Sequence, residues 1–251
     1  MTVEDFRLAA RNAAPFIAAR GARIGARISG AVEASLKATA QNINLGIVLL
    51  CAPLAAAAEQ GKPDLREAIT DILKELDLED ARLAFAAIVR AAPGGLGDAA
   101  RHDVRWPATV SLREAMVEAA SRDRIARQYA SGFADLFDVG LPALRRALAR
   151  GTEATLATLA VYLTFLAAFP DTHIQRKQGV AEAERVMGMA KKFLDRLEGG
   201  VPFDELEDEL LGWDRDLKRA GINPGTSADL TVATLYAAKL QSILRRAGNS
   251  G

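Results

Sequence analysis

The chain has 251 residues, half of them hydrophobic, with 32 Lys and Arg against 32 Asp and Glu. This is ample material for a buried core, and the zero net charge excludes a general polyanion binder, so nucleic acid is not an expected partner. A single cysteine, Cys51, excludes an intramolecular disulfide and suits a reducing compartment.

The pattern is helical almost throughout: Ala and Leu abound, and no β-branched run alternates with period two. Thr2-Val3-Glu4-Asp5 reads as a capping box with Asp in place of Glu, opening a helix to about Ala19. A second helix, about Ile24 to Ala40, carries Ile24, Ile28, Ala31 and Leu36 on one stripe. Asn42–Gly46 breaks the pattern. An apolar helix follows to about Glu59, with Pro53 expected to kink it or to mark a first turn. Residues 64–75 and 79–91 read as two amphipathic helices, and 93–97 as a glycine-rich loop. Trp106-Pro107 is biased to extended geometry. Ser111 is expected to cap one long helix bearing Glu114, Glu118, Arg122 and Arg127. Further helices are predicted over about 141–150, 153–169, 178–197, 203–218 and 228–246. The apolar runs Leu45–Ala58 and Thr155–Phe169 fall short of the roughly 20 residues a membrane helix needs, so both read as core helices. The start of the chain shows no uninterrupted apolar stretch of a signal peptide, and the expected address is the cytoplasm, with no membrane partner. No repeat or linker divides the pattern. The expected fold is all-α: one domain over residues 1–251, a multi-helix bundle of roughly ten helices.

Four polar clusters interrupt this framework. In Asn42-Ile43-Asn44-Leu45-Gly46, alternation in an extended segment puts Asn42 and Asn44 on one side, where two amides could hold a base, a ribose or a phosphate; turn and cap asparagines are the alternative. Pro93-Gly94-Gly95-Leu96-Gly97 could bring backbone N–H groups to a phosphate or be a plain flexible loop. It is neither a Walker loop nor a dinucleotide fingerprint. Asp103, shortly after, could meet a metal or a hydroxyl. Pro170-Asp171-Thr172-His173, with Arg176 and Lys177 one turn on, joins an acid, an imidazole and two cations, which suits a phosphorylated substrate or a capped helix with solvated charges. His102 is the other histidine; no Cys/His spacing marks a zinc site. In Asn223-Pro224-Gly225-Thr226-Ser227-Ala228-Asp229, the turn formers precede a helix that Thr226 or Ser227 can cap. Its first N–H groups and dipole attract an anion, and Asp229 lies in the first turn. A well-capped helix is again the plainer reading. Arg122-Asp123-Arg124 and Arg127-Gln128-Tyr129 form a charged helical stretch, more in keeping with a salt-bridged face than with a phosphate site.

Five blocks in order resemble the triphosphoribosyl-dephospho-CoA synthase family: Asn42–Gly46 with the run through Ala52-Pro53-Leu54, Pro93–Gly97 with Asp103-Val104, Arg122–Ala126 with Gln128-Tyr129, Asp171–Ile174 with Arg176-Lys177, and Asn223–Asp229. The resemblance implies an all-α transferase that uses ATP as a sugar donor. In that reaction the 2′-hydroxyl of 3′-dephospho-CoA displaces adenine from C1 of the ATP ribose, and the triphosphate stays on the transferred sugar. ATP and 3′-dephospho-CoA are then the expected partners and Mg2+ the expected cofactor. Asp171, His173 and Asp229 are the expected catalytic groups. Asn42, Asn44, Gly46, Gly94, Gly95, Arg176, Lys177, Asn223, Gly225, Thr226 and Ser227 are expected to bind substrate, and Asp103, Asp171 and Asp229 to reach the metal through the phosphates. Two other readings stand beside it: a diverged relative with another acceptor, and a non-catalytic helical nucleotide-binding protein. The family usually carries a Lys-Pro-Gly segment ahead of the stretch that Met1–Phe6 continues. That segment is expected to be missing here, through a late start codon or true loss of part of the active site.

Overall fold

A computed structural model describes residues 2–94, Gly97 and residues 99–248. Among them there are thirteen α-helices, one π-helical turn and no strand, as the all-α reading expects. The chain divides into two compact units, Met1–Ala134 with Tyr236–Gly251, and Asp135–Leu235.

The first unit is built on α1 (Val3–Ile17), α2 (Ile24–Thr39), α3 (Leu45–Glu59), α4 (Leu65–Glu75), α5 (Leu78–Ala91), α6 (Leu112–Ala119) and α7 (Arg124–Ser131). Local sequence explains many of the starts. Thr2/Asp5, Asp77/Asp80 and Ser111/Glu114 each form a complete capping box. α1 packs on α2, and α2 on α5. The second contact needs Gly25, because a Cβ there would sit 2.8 Å from the backbone of Asp80. Arg27 is buried and donates to Glu59 and to the carbonyls of Ile17 and Ala22, so burial leaves its charge paired. α3 is apolar on every side and buried from Val48 to Ala57, Cys51 included. Pro53 neither breaks it nor marks a first turn. Proline removes the donor that would reach the carbonyl four residues back, Leu49, and the buried Tyr129 hydroxyl fills that place at 2.6 Å.

The helix expected from Ser111 through Arg127 is two helices. Asp123 accepts from the Ile125 and Ala126 amides and starts α7 afresh, so a residue read as part of a charged face is a cap.

The second unit opens on the π-helical turn Leu136–Gly140, which the sequence reading did not foresee. It runs on through α8 (Leu141–Ala149), α9 (Ala154–Ala168), α10 (Thr172–Gln178), α11 (Val180–Glu198), α12 (Phe203–Arg219) and the start of α13 (Gly225–Gly248). α9 packs along α11, and Leu163, Leu166, Val186, Ala190 and Phe193 form the centre of its core. Trp213 of α12 closes on Phe193 with ring centroids 5.3 Å apart. α13 begins three residues earlier than the apolar pattern indicates. Thr226 and Ser227 therefore lie inside its first turn and do not precede it as caps.

Candidate functional site

Two helix starts meet in the second unit, and Asp171 joins them. Its side chain caps α10 in the usual way: Oδ1 accepts from the His173 amide at 2.9 Å and the Ile174 amide at 3.2 Å. Oδ2 accepts from the Ser227 amide and the Ser227 hydroxyl, both at 2.8 Å, in the first turn of α13. A carboxylate offers about four lone-pair positions, and all four are used. Thr226 completes the joint: its Oγ1 lies 3.0 Å from Thr172 Oγ1 and accepts from the His173 amide at 3.2 Å. Asp171, Thr172, Thr226 and Ser227 are all buried. The anion that the α13 start attracts is thus the chain's own carboxylate. Thr226 and Ser227, expected to face phosphate, turn their hydroxyls inward.

A smaller set lies next to this joint. His173 stacks on Gly225, where an added Cβ would lie 2.9 Å from Nδ1, so only glycine admits the imidazole at this separation. Asp229 is four residues after Gly225 and hence on the same face of α13. Arg176 and Lys177 follow His173 by three and four residues on α10 and share its face in turn. Arg176 and Asp229 are half-buried and Lys177 is exposed. His173, Arg176 and Lys177 thus share one face of α10, and Gly225, against which His173 lies, shares a face of α13 with Asp229. Asn223 is exposed, and its carbonyl accepts from the Gly225 amide at 2.8 Å, shaping the turn into α13.

The other expected residues belong to the first unit. Asn42 and Asn44 do not share a side: Asn42 is exposed, whereas Asn44 is buried and donates to Ser35 Oγ at 2.9 Å. Gly46 is in the first turn of α3. Gly94 is in a turn, and Gly95 lies outside the described residues. Asp103 accepts from the Ala99 amide and three times from Arg105, through its amide, Nε and Nη2. The Arg105 guanidinium beside it, with these amides, holds its carboxyl well below the usual carboxylate range.

A model of the CitG family, ATP:dephospho-CoA triphosphoribosyl transferase, matches residues 1–247. The chain belongs to the CitG family. A Vibrio cholerae relative named as a probable 2-(5''-triphosphoribosyl)-3'-dephosphocoenzyme-A synthase is 31% identical over 121 residues, 45% of this chain and 38% of the relative. A relative of the same name from Acinetobacter calcoaceticus is 30% identical over 118 residues, 47% of this chain and 40% of its own. The chain thus spans well under half the length of the curated relatives it matches. A crystal structure from Archaeoglobus fulgidus, solved under the provisional description triphosphoribosyl-dephospho-CoA synthase, superposes with a TM-score of 0.76 at 26% identity, covering 96% of this chain and 99% of that one.

For this CitG-family chain the sequence reading missed three contributors. Arg105 clamps Asp103, Ser35 holds Asn44, and Tyr162 lies near Asp171 with its phenol pushed upward by burial and by the Asp171 charge. Spacing gave no signal for Ser35, which lies a helix away, or for Tyr162, which sits within an apolar run. The two-residue separation of Asp103 and Arg105 was visible. No group of three His, Cys, Asp or Glu among the described residues could hold a metal ion. Asp103 and Asp171, each with four donors already in place, do not fit the metal role expected of them. Among the described residues no single helix is long and apolar enough to cross a membrane; α9 and α10 reach that length only as a pair bent by 54°.

Proposed function

We propose that this chain transfers the triphosphoribosyl group of ATP to the 2′-hydroxyl of 3′-dephospho-CoA, with release of adenine. The CitG-family match along residues 1–247 carries this reading. In it the oxygen of the acceptor hydroxyl forms the new bond to C1 of the ribose while the C1–N9 bond to adenine breaks, and positive charge grows at C1 and the ring oxygen. Asp229 stabilises that charge and takes the hydroxyl proton, and His173 delivers a proton to the departing adenine. Arg176 and Lys177 meet the triphosphate. Asp171 is a positioning residue: it fixes α10 against α13 and so sets His173 relative to Asp229. Magnesium enters with ATP as its counterion, since Mg2+ commonly keeps substrate phosphates and waters as ligands, and Asp229 is the one expected carboxylate retained as its contact. We assign the activity to the cytoplasm, where a single cysteine stays reduced.

Incubation with ATP, Mg2+ and 3′-dephospho-CoA should release free adenine. Release of ADP or AMP in its place would exclude ribosyl transfer. Asp229→Asn should abolish adenine release while the far-UV helical signal persists.

A further inference from the structure

The first unit leaves one helix largely uncovered. Of the fifteen residues of α1, only Ala9 and Ala13 are buried. Val3 and Phe6 are 69% and 43% exposed, and Ala10 and Ala14 are exposed as well. Steps of three and four residues put these four on one stripe of α1, beside the buried face of Ala9 and Ala13. Single exposed apolar residues are ordinary, but a contiguous stripe marks an interaction surface.

The order of residues along the stripe selects the partner. The large side chains, Val3 and Phe6, come first, and the small ones, Ala10 and Ala14, follow. Such a stripe fits a reversed copy of itself, with Phe6 over Ala10 of the second copy, Val3 over its Ala14, and both contacts repeated by the two-fold axis. The charges on one edge of the stripe obey the same rule. Glu4 and Arg11 stand seven residues apart there, with Arg7 between them. Reversal sets each Glu4 opposite Arg11 of the other copy, whereas a parallel pairing sets like charges opposite. Glu4 Oε2 lies 3.7 Å from Arg7 Nη1 on its own helix, in an exposed pair that leaves Oε1 for a second guanidinium. Arg11 makes no ion pair among the described residues. The three pairings share one dyad, within a residue of Leu8. The zero net charge of the chain adds no long-range repulsion between copies.

We propose that α1 packs antiparallel on α1 of a second copy of this chain, forming a two-fold dimer. The surface belongs to the first unit and does not depend on the proposed activity. A contact along one helix of about 22 Å covers less than the roughly 800 Å2 per partner of a standard interface, so the dimer is weak, with a dissociation constant of about 10–100 μM.

Sedimentation equilibrium of the full chain tests the proposal: the average mass should rise from monomer to dimer between about 5 and 500 μM. Ala10→Arg puts a good helix former at an exposed position; it should weaken the dimer about tenfold or more and leave the far-UV helical signal unchanged. Glu4→Arg and Arg11→Glu should each weaken it about fivefold, and the two together should restore it. A monomer at every concentration, a dimer that Ala10→Arg leaves as strong as before, or a double charge reversal no better than the single ones would overturn the antiparallel pairing.

Discussion

Asp171→Asn removes one charge and almost no volume, which makes it a sharp probe of the joint between α10 and α13. The native carboxylate accepts four hydrogen bonds, two on each oxygen. Asparagine supplies one carbonyl oxygen and one NH2. If the oxygen faces α10, the NH2 confronts the Ser227 amide and hydroxyl. If it faces α13, the NH2 confronts the His173 and Ile174 amides. The Ser227 hydroxyl can rotate and accept, but a backbone N–H cannot. At least one buried amide, that of Ile174 or that of Ser227, therefore loses its carboxylate acceptor, at about 1–3 kcal/mol. The surviving bonds lose their charge assistance, roughly 1 kcal/mol in sum, and the α13 dipole loses its anion, about 0.3–1 kcal/mol. The expected loss is about 2–5 kcal/mol, seen in urea unfolding as a lower midpoint, or in a thermal scan as a fall of roughly 5–20 °C for a chain of this size. A loss below about 1 kcal/mol is what an isolated surface cap would give, and it would refute the bridging role assigned to Asp171.

Four further outcomes follow from particular contacts. Tyr129→Phe leaves the Leu49 carbonyl, already deprived of a donor by Pro53, buried and unpaired; denaturant unfolding should show a loss of about 1–3 kcal/mol, whereas an accompanying Pro53→Ala should recover part of it. Gly140→Ala drives a methyl group into Thr234 Oγ1 and to within 2.6 Å of Phe165 Cζ, so the π-helical turn must shift and stability should fall by about 1–3 kcal/mol. Asp103 has a depressed carboxyl pKa, so its contribution to stability is complete above the ordinary aspartate range and is lost only as pH falls through the lower folded value; Arg105→Gln should move the Asp103 carbon-13 titration upward toward pH 4. Gly225→Ala pushes the imidazole of His173 off α13; on the proposed mechanism adenine release should drop about tenfold or more with little change in melting temperature.

The helices were legible where their determinants are local. Thr2 and Asp5, or Ser111 and Glu114, stand three residues apart and announce a start by themselves. The errors fall where a local pattern carries two meanings. Asp123 reads equally well as one charge on a long polar face and as a cap, and only its bonds to the Ile125 and Ala126 amides decide. Pro53 reads as well as the mark of a first turn, because the hydroxyl that takes up the carbonyl it leaves free inside α3 comes from Tyr129, in another helix. Thr226 and Ser227 are good caps in isolation and point to a later α13 start, and what overrides them is a carboxylate more than fifty residues away in sequence.

That same carboxylate explains why two polar clusters of the sequence meet without either one announcing the other. A helix start does favour negative charge, and the sequence around Gly225 supports expecting an anion there. Nothing local distinguishes an anion carried by a ligand from one carried by the chain. With Asp171 bonded at both helix starts, its lone pairs are occupied and it is poorly suited to accept a further proton or a metal. The chemistry of the proposed transfer then falls to groups next to this joint, Asp229 on α13 and His173, Arg176 and Lys177 on α10, whose spacing depends on Asp171 staying charged. A variant that weakens Asp171 should therefore lower activity through the relative position of His173 and Asp229. It should do so with the pH profile of the remaining activity unchanged, because the titrating groups are still the same.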